Sequence, residues 1–330
     1  MQKIIYFQNK PSILSYASCG GQLESKGAFS GEIDITFEDD FFGENSFEAC
    51  ETKMVKKASE LAIARAKTEP NIIFAGDLLN QCVATSFAFR EEKASFCGIY
   101  GACSNMSLSL ALSSVFVNCG AVDTALAATS SHFCSAERQY RFPLEYASQR
   151  EKSAGWTVTG SGAVIVGAQS SSPAPFVNSV LFGQLVDLGV KDIGNMGAAM
   201  APAAADTISR YLKLSGVDPS EFDAIYTGDL GSIGSSLLYK LLETDGIDIT
   251  KVHKDCGSMV YQGEDKDIGA GGSGCGCSAL TLCSHILPRL KQGKLRRVLF
   301  CATGALMSPL TVQQGETIPS VCHAVEMACG

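Results

Sequence analysis

Cys103 is the residue of this chain whose setting most resembles a nucleophile's. It follows a short strand-like segment and a Gly101-Ala102 turn, and it opens a helix-like run over 104–118. A sulfur there meets the unpaired N–H groups and the positive end of a helix dipole, which favour a thiolate. The competing reading is a small buried thiol in a chain that holds 14 cysteines. The surrounding string is also written twice. Ala102-Cys103-Ser104 and Ala128-Thr129 return as Gly276-Cys277-Ser278 and Ala302-Thr303, both offset by 174 residues, and Gly76-Asp77-Leu78 returns as Gly228-Asp229-Leu230, offset by 152.

Each half must therefore supply the same ordered parts: an apolar strand ending in Gly-Asp-Leu, a cysteine turn opening a helix, and a second apolar strand. Two such halves pack about a pseudo-twofold axis with their cysteine turns near the centre, where a site is expected. The unequal offsets predict an insertion in the second half, around 243–268. Helices are expected at 47–67, 84–91, 104–118, 203–215, 235–244 and from Cys277, with Pro288 kinking the last. Strands are expected at 71–76, 95–100, 124–131, 156–167, 176–186, 223–228 and 297–303. Apolar rather than alternating strands among helices predict an α/β fold with sheets covered on both faces. The Ser/Pro stretch 169–175 divides the halves, 1–168 and 176–330.

Composition bounds the function. A chain of 330 residues with 46% hydrophobic and 18% charged residues can bury a large core. A net charge of −8 and a pI near 5.1 argue against nucleic acid or an anionic membrane surface as a partner. No export signal is visible at the first residues. The uncharged runs 94–122, 153–186 and 268–288 carry Ser, Asn and Gly and read as buried core rather than membrane spans. No Cys-x-x-Cys pair occurs, so free thiols are expected and no metal. No cofactor is expected either. Gly269, Gly271 and Gly274 match a dinucleotide fingerprint in spacing, but charged turn residues replace the preceding strand and no later acidic residue completes it.

The cysteine elbow, the duplication and the strand holding Gly160-Ser161-Gly162-Ala163 resemble the thiolase superfamily, which includes the ketoacyl synthases. More narrowly, the strings GDLLNQ (76–81), YGACSNMS (100–107), AERQYRFPLEY (136–146), NMGAAMAPAAADTI (195–208), TGDLGSIGS (227–235) and AGGSGCGCSA (270–279) resemble the stage V sporulation protein AD family. The resemblance implies a thiolase-like fold of duplicated α/β halves in five layers, αβαβα. It also implies a role in endospore formers: binding dipicolinic acid and helping a SpoVA-type membrane channel complex move it into the developing spore. It would act beside the other SpoVA membrane proteins, at the cytoplasmic face of the forespore inner membrane. Thiolases commonly dimerise, and by analogy a homodimer would form through 124–131.

Condensing enzymes use a His or a second Cys, and often an Asn, opposite the nucleophile. At the matching positions this chain has Asp229 and Gly272, and an aspartate near Cys103 would raise the thiol pKa. Condensing activity is therefore expected to be lost and the pocket kept for binding. His132 and His323 are the candidates for pocket walls, and Arg138 and Arg141 for gripping a ligand carboxylate. The bland alternatives are hydrogen-bonded structural histidines and a salt-bridged loop with Glu137 and Glu145. His253 and His285 are read as structural or solvated. The rival function is an acyltransferase using Cys103 with His132 or His323 as base.

Overall fold

The computed structural model describes residues 3–140, 150–168, 174–261 and 268–329. Its strands are β1 (Ile5–Tyr6), β2 (Ser12–Gly20), β3 (Ile35–Thr36), β4 (Ile72–Gly76), β5 (Ser95–Gly98), β6 (Thr124–Ser131), β7 (Trp156–Thr157), β8 (Gly160–Gly167), β9 (Phe176–Leu181), β10 (Ala224–Thr227), β11 (His253–Asp255), β12 (Gly272–Ser273), β13 (Arg297–Ala305) and β14 (Ser320–Ala328). Its helices are α1 (Gln22–Ser25), α2 (Phe47–Ala66), α3 (Val83–Phe89), α4 (Asn105–Asn118), α5 (Phe133–Tyr140), α6 (Met196–Ser215), α7 (Gly231–Glu243), α8 (Cys256–Val260), α9 (Cys275–Thr281), α10 (Leu287–Lys291) and α11 (Pro309–Gln313).

The duplication is visible in the strand order. The first half runs β5-β4-β6-β8-β2 and the second runs β11-β10-β13-β14-β9, and the two series meet where β2 pairs with β9 at Ser12 and Phe176. In each half the first three strands are parallel and the last two are antiparallel additions.

Alternation along the strands sorts the side chains into layers. On β6, Ala125 and Ala127 face the central core, while Leu126 and Ala128 face α2 and α3. On β13, Val298, Phe300 and Ala302 face the centre, and Leu299 and Cys301 face α6 and α7. The central core also takes Met106 and Leu110 from α4 and Ala279 and Leu280 from α9. Two cysteine helices are thus enclosed between the two halves of the sheet, with a helical layer outside each, giving the five-layer α/β arrangement expected.

The two halves grip each other at the starts of those helices. Gly276 N donates to Ser131 Oγ at 3.0 Å, and Ser107 Oγ donates to Ala302 O at 3.3 Å. A Cβ added to Gly304 on β13 would stand 2.0 Å from Gly101 O, so only glycine lets the second half's strand lie against the Cys103 turn.

Several elements differ from expectation for physical reasons. Helix α6 begins at Met196, capped by Asn195 Oδ1, and runs through Pro202. The bond lost at proline is outweighed by a buried face that includes Met200, Ala204, Ile208 and Tyr211. The helix from Cys275 passes through a π-turn at Leu282–Ile286 just before Pro288, which accommodates the proline ring. The added length of the second half falls mostly after β11, overlapping the later part of the expected range: β5 ends five residues before Cys103, but β11 ends 22 before Cys277. Strand β6 is fully buried and paired on both edges, so it offers no seam; the unpaired edge of that half belongs to β5, whose four residues are exposed. Among the described residues no helix is long and apolar enough to cross a membrane.

Two outcomes test this account. Gly304→Ala should lower unfolding free energy by about 1–3 kcal/mol, measured by denaturant melts, because backbone must move; an unchanged midpoint would refute the contact. Glu24 is buried, accepting from Thr159 N at 3.0 Å and from the Tyr261 hydroxyl. Burial pushes its pKa up to about 7. The protonated form is the one favoured by folding, so this stabilisation is complete below the ordinary carboxyl pKa and is lost as pH rises through 7. Between pH 5 and 8 it should remove about 2 kcal/mol, and Glu24→Gln should flatten that slope.

Candidate functional site

Cys103 sits on a strained elbow. Ala102, just before it, holds φ +50°, a left-handed conformation that a residue with a Cβ adopts at a cost of about 1–3 kcal/mol. The chain makes one tight turn over Ala102–Ser104, steadied by Ser104 Oγ donating to Gly101 O at 2.6 Å and Gly101 N donating to Asn105 Oδ1 at 2.6 Å, and then enters α4. The thiol is partly exposed at the bottom of a cleft between the halves.

That cleft holds about 790 Å³, counted to its open mouth. Its walls are mainly apolar, with Leu78, Met196, Met200 and Met307 prominent, and Tyr100 and Tyr140 at one side. The two tyrosine hydroxyls stand 3.0 Å apart, and Tyr140 also donates to Leu78 O. Among the described residues no lysine or arginine lines it, and Glu137 is its acidic residue.

Asp229 closes the site behind the thiol. Its Oδ2 accepts from Gly274 N at 2.8 Å and from Ser273 Oγ at 3.3 Å, while its buried Oδ1 has no hydrogen-bond partner. Gly274 presents its N–H with φ +92°, open to glycine. Burial pushes the Asp229 carboxyl up to about 7, and the nearby charge of Asp255 adds to this. Burial, then the Asp229 charge, hold the Cys103 thiol well above its ordinary pKa. The helix-end advantage is overridden, so the resting sulfur is a thiol rather than a thiolate.

The structure brings Cys103 and Asp229 together and sets the other candidates apart. His132 is buried with Nε2 against Asp40 O at 3.0 Å, and Nδ1 accepts from Cys134 N. His323 accepts from Gly183 N at 3.1 Å, lies edge-on to Phe182, and has its pKa pushed down to about 4 by burial. Neither lines the cleft. Arg138 points elsewhere, paired with Glu48 beside the Phe47 ring. Arg141 lies outside the described residues. Gly272 packs against Val260 and Cys277. His253 is held by Thr227 and Tyr239, and His285 pairs with Glu32.

Two features escaped sequence reasoning. The methionines of the wall come from α6 and the segment after β13, which no motif joins. Arg150 is paired with Glu137 behind the wall, and the only hint in sequence is its position six residues before the chain's only tryptophan.

Asp229→Asn should speed alkylation of Cys103 by iodoacetamide about tenfold at pH 8, where the native carboxylate is ionised, since each unit of thiol pKa is a factor of ten in thiolate. Peptide mapping of the alkylated thiol reads the rate, and an unchanged rate would show that Asp229 does not restrain it.

The chain is 40% identical over 323 residues to stage V sporulation protein AD of Bacillus subtilis, covering 97% of this chain and 94% of that one. Among solved structures, an OleA of Xanthomonas campestris superposes with a TM-score of 0.62 at 13% identity, covering 99% and 100% of the two chains. The 3-oxoacyl-[acyl-carrier-protein] synthase III of Aquifex aeolicus superposes at 0.55 and 14%, covering 96% and 99%. At such identities these two establish the fold alone. The model of the stage V sporulation protein AD family matches residues 1–328, and the chain belongs to that family.

Proposed function

We propose that this chain is a sporulation protein that binds dipicolinic acid in the cleft over Cys103 and assists its uptake by a SpoVA-type membrane channel complex, without condensing catalysis. Family membership supports the sporulation role. The observation that carries the binding reading is the carboxylate opposite the thiol. A condensing nucleophile needs a base and an oxyanion donor, whereas burial, with Asp229 beside it, keeps Cys103 protonated, and the amide of Gly274 is taken by Asp229 Oδ2. What remains is a walled space suited to a flat ring: methionine and leucine sides and two tyrosine hydroxyls. In this reading the chain is peripheral at the cytoplasmic face of the forespore inner membrane and docks on the complex's membrane proteins.

A second reading has one observation behind it. Cys103 keeps a strained elbow and reaches the cleft, as an acyltransferase nucleophile would. With His132 and His323 both engaged outside the cleft, that reading has no base among its named candidates.

Calorimetric titration with dipicolinate decides between them. Saturable binding that changes less than about threefold in Cys103→Ala is expected, since a neutral thiol adds little to an anion's affinity. Turnover of an acyl-coenzyme A that disappears with Cys103 would establish the enzyme instead, and silence to both ligands would leave a scaffold.

A further inference from the structure

The wall of the cleft carries a buried ion pair that the proposed function leaves unused. Arg150 Nη1 donates to Glu137 Oε1 at 2.9 Å, with the two side chains only 6% and 5% exposed. Glu137 lines the cleft, and Arg150 Nη2 donates to the carbonyl of Gly155, another lining residue. The guanidinium carbon lies 5.5 Å from the Phe133 ring centroid and 5.2 Å from that of Trp156, and those rings stack on each other at 4.0 Å. Arg150 Nε is buried and has no hydrogen-bond partner.

Such a pair is a poor way to hold a wall together. Desolvating two ions offsets most of their attraction, and apolar side chains of similar shape would serve stability as well or better. It is, however, a good way to keep a guanidinium ready. The stacked rings fix its plane, Glu137 keeps it charged and paired inside the protein, and the spare Nε–H leaves donor capacity for a second carboxylate oxygen.

We propose that Arg150 is the residue that recognises the carboxylate of the ligand, with Glu137 as its built-in competitor. The ligand's carboxylate takes the guanidinium donors that Glu137 holds, and Glu137 turns into the cleft that it already lines. Recognition is then an exchange of one carboxylate for another, which keeps the buried cation paired at every stage and rejects uncharged rings of the same shape. The inference rests on the reading that the cleft binds an aromatic dicarboxylate, and it assigns to Arg150 the part that sequence reasoning gave to Arg138 and Arg141.

Trp156, the chain's only tryptophan, reports on the guanidinium beside it. The test titrates dipicolinate into the full chain and into Glu137→Gln and Arg150→Lys, reading tryptophan emission and calorimetric heat together, with circular dichroism melts to verify folding. Expected are a saturable change in Trp156 emission, binding about 3–10-fold tighter in Glu137→Gln, and binding about tenfold weaker or worse in Arg150→Lys. Should Arg150→Lys fail to fold, Glu137→Gln decides alone, because glutamine keeps a hydrogen bond to Arg150 while removing the competing charge. Calorimetric binding with flat emission and an affinity within about twofold in Glu137→Gln would overturn the role of Arg150 and leave dipicolinate binding standing. Absence of heat with the native chain would overturn both.

Discussion

Two helices that begin at cysteine turns share one apolar layer, and neither can be covered by its own half. The constraint that follows is a close backbone contact across the pseudo-twofold axis: Gly304 against the carbonyl of Gly101, and Gly276 beneath Ser131. Around those contacts the sheets have little freedom. Several of their inward residues are small, as with Ala125, Ala127 and Ala302, because α4 and α9 fill the space between them. The position of Cys103 is a by-product of this packing, since the turn that carries it is also the turn on which β13 rests.

Duplication makes the asymmetry of the site legible. Asp77 and Asp229 occupy the same Gly-Asp-Leu string, yet Asp77 spends its oxygens on Leu79 N and on the amide and hydroxyl of Thr85. Asp229 has fewer partners and faces the other half's thiol. One copy of the motif became a loop brace and the other an electrostatic restraint. The cysteines diverged likewise: Cys103 reaches the cleft, whereas Cys277 is fully buried with its sulfur near Gly228 O.

Much of this could be read from the chain. Strands β4, β6 and β13 are apolar through their middle residues because both faces are covered, and the repeat fixed which strands correspond. The elbow at Cys103 was legible from the residues around it, and the placing of Asp229 opposite it from the family resemblance. What escaped the reading depends on residues distant in sequence. His132 is engaged by the carbonyl of Asp40, His323 by the amide of Gly183, and Arg138 by Glu48, and no local pattern announces such partners. The start of α6 was hidden by Pro202, because proline reads as a helix breaker until the burial of the flanking alanines is known.

The strand order has a consequence for synthesis on the ribosome. All five strands of the first series come from the first 167 residues, so that sheet can assemble before β13 and α9 exist. Helix α4 would then wait with one apolar side uncovered, since Met106 and Leu110 share their core with Leu280 and Phe300. A half-made chain of this kind is a sticky intermediate. Contacts between partners so far apart in sequence are slow to form, and those of the central layer are of this kind.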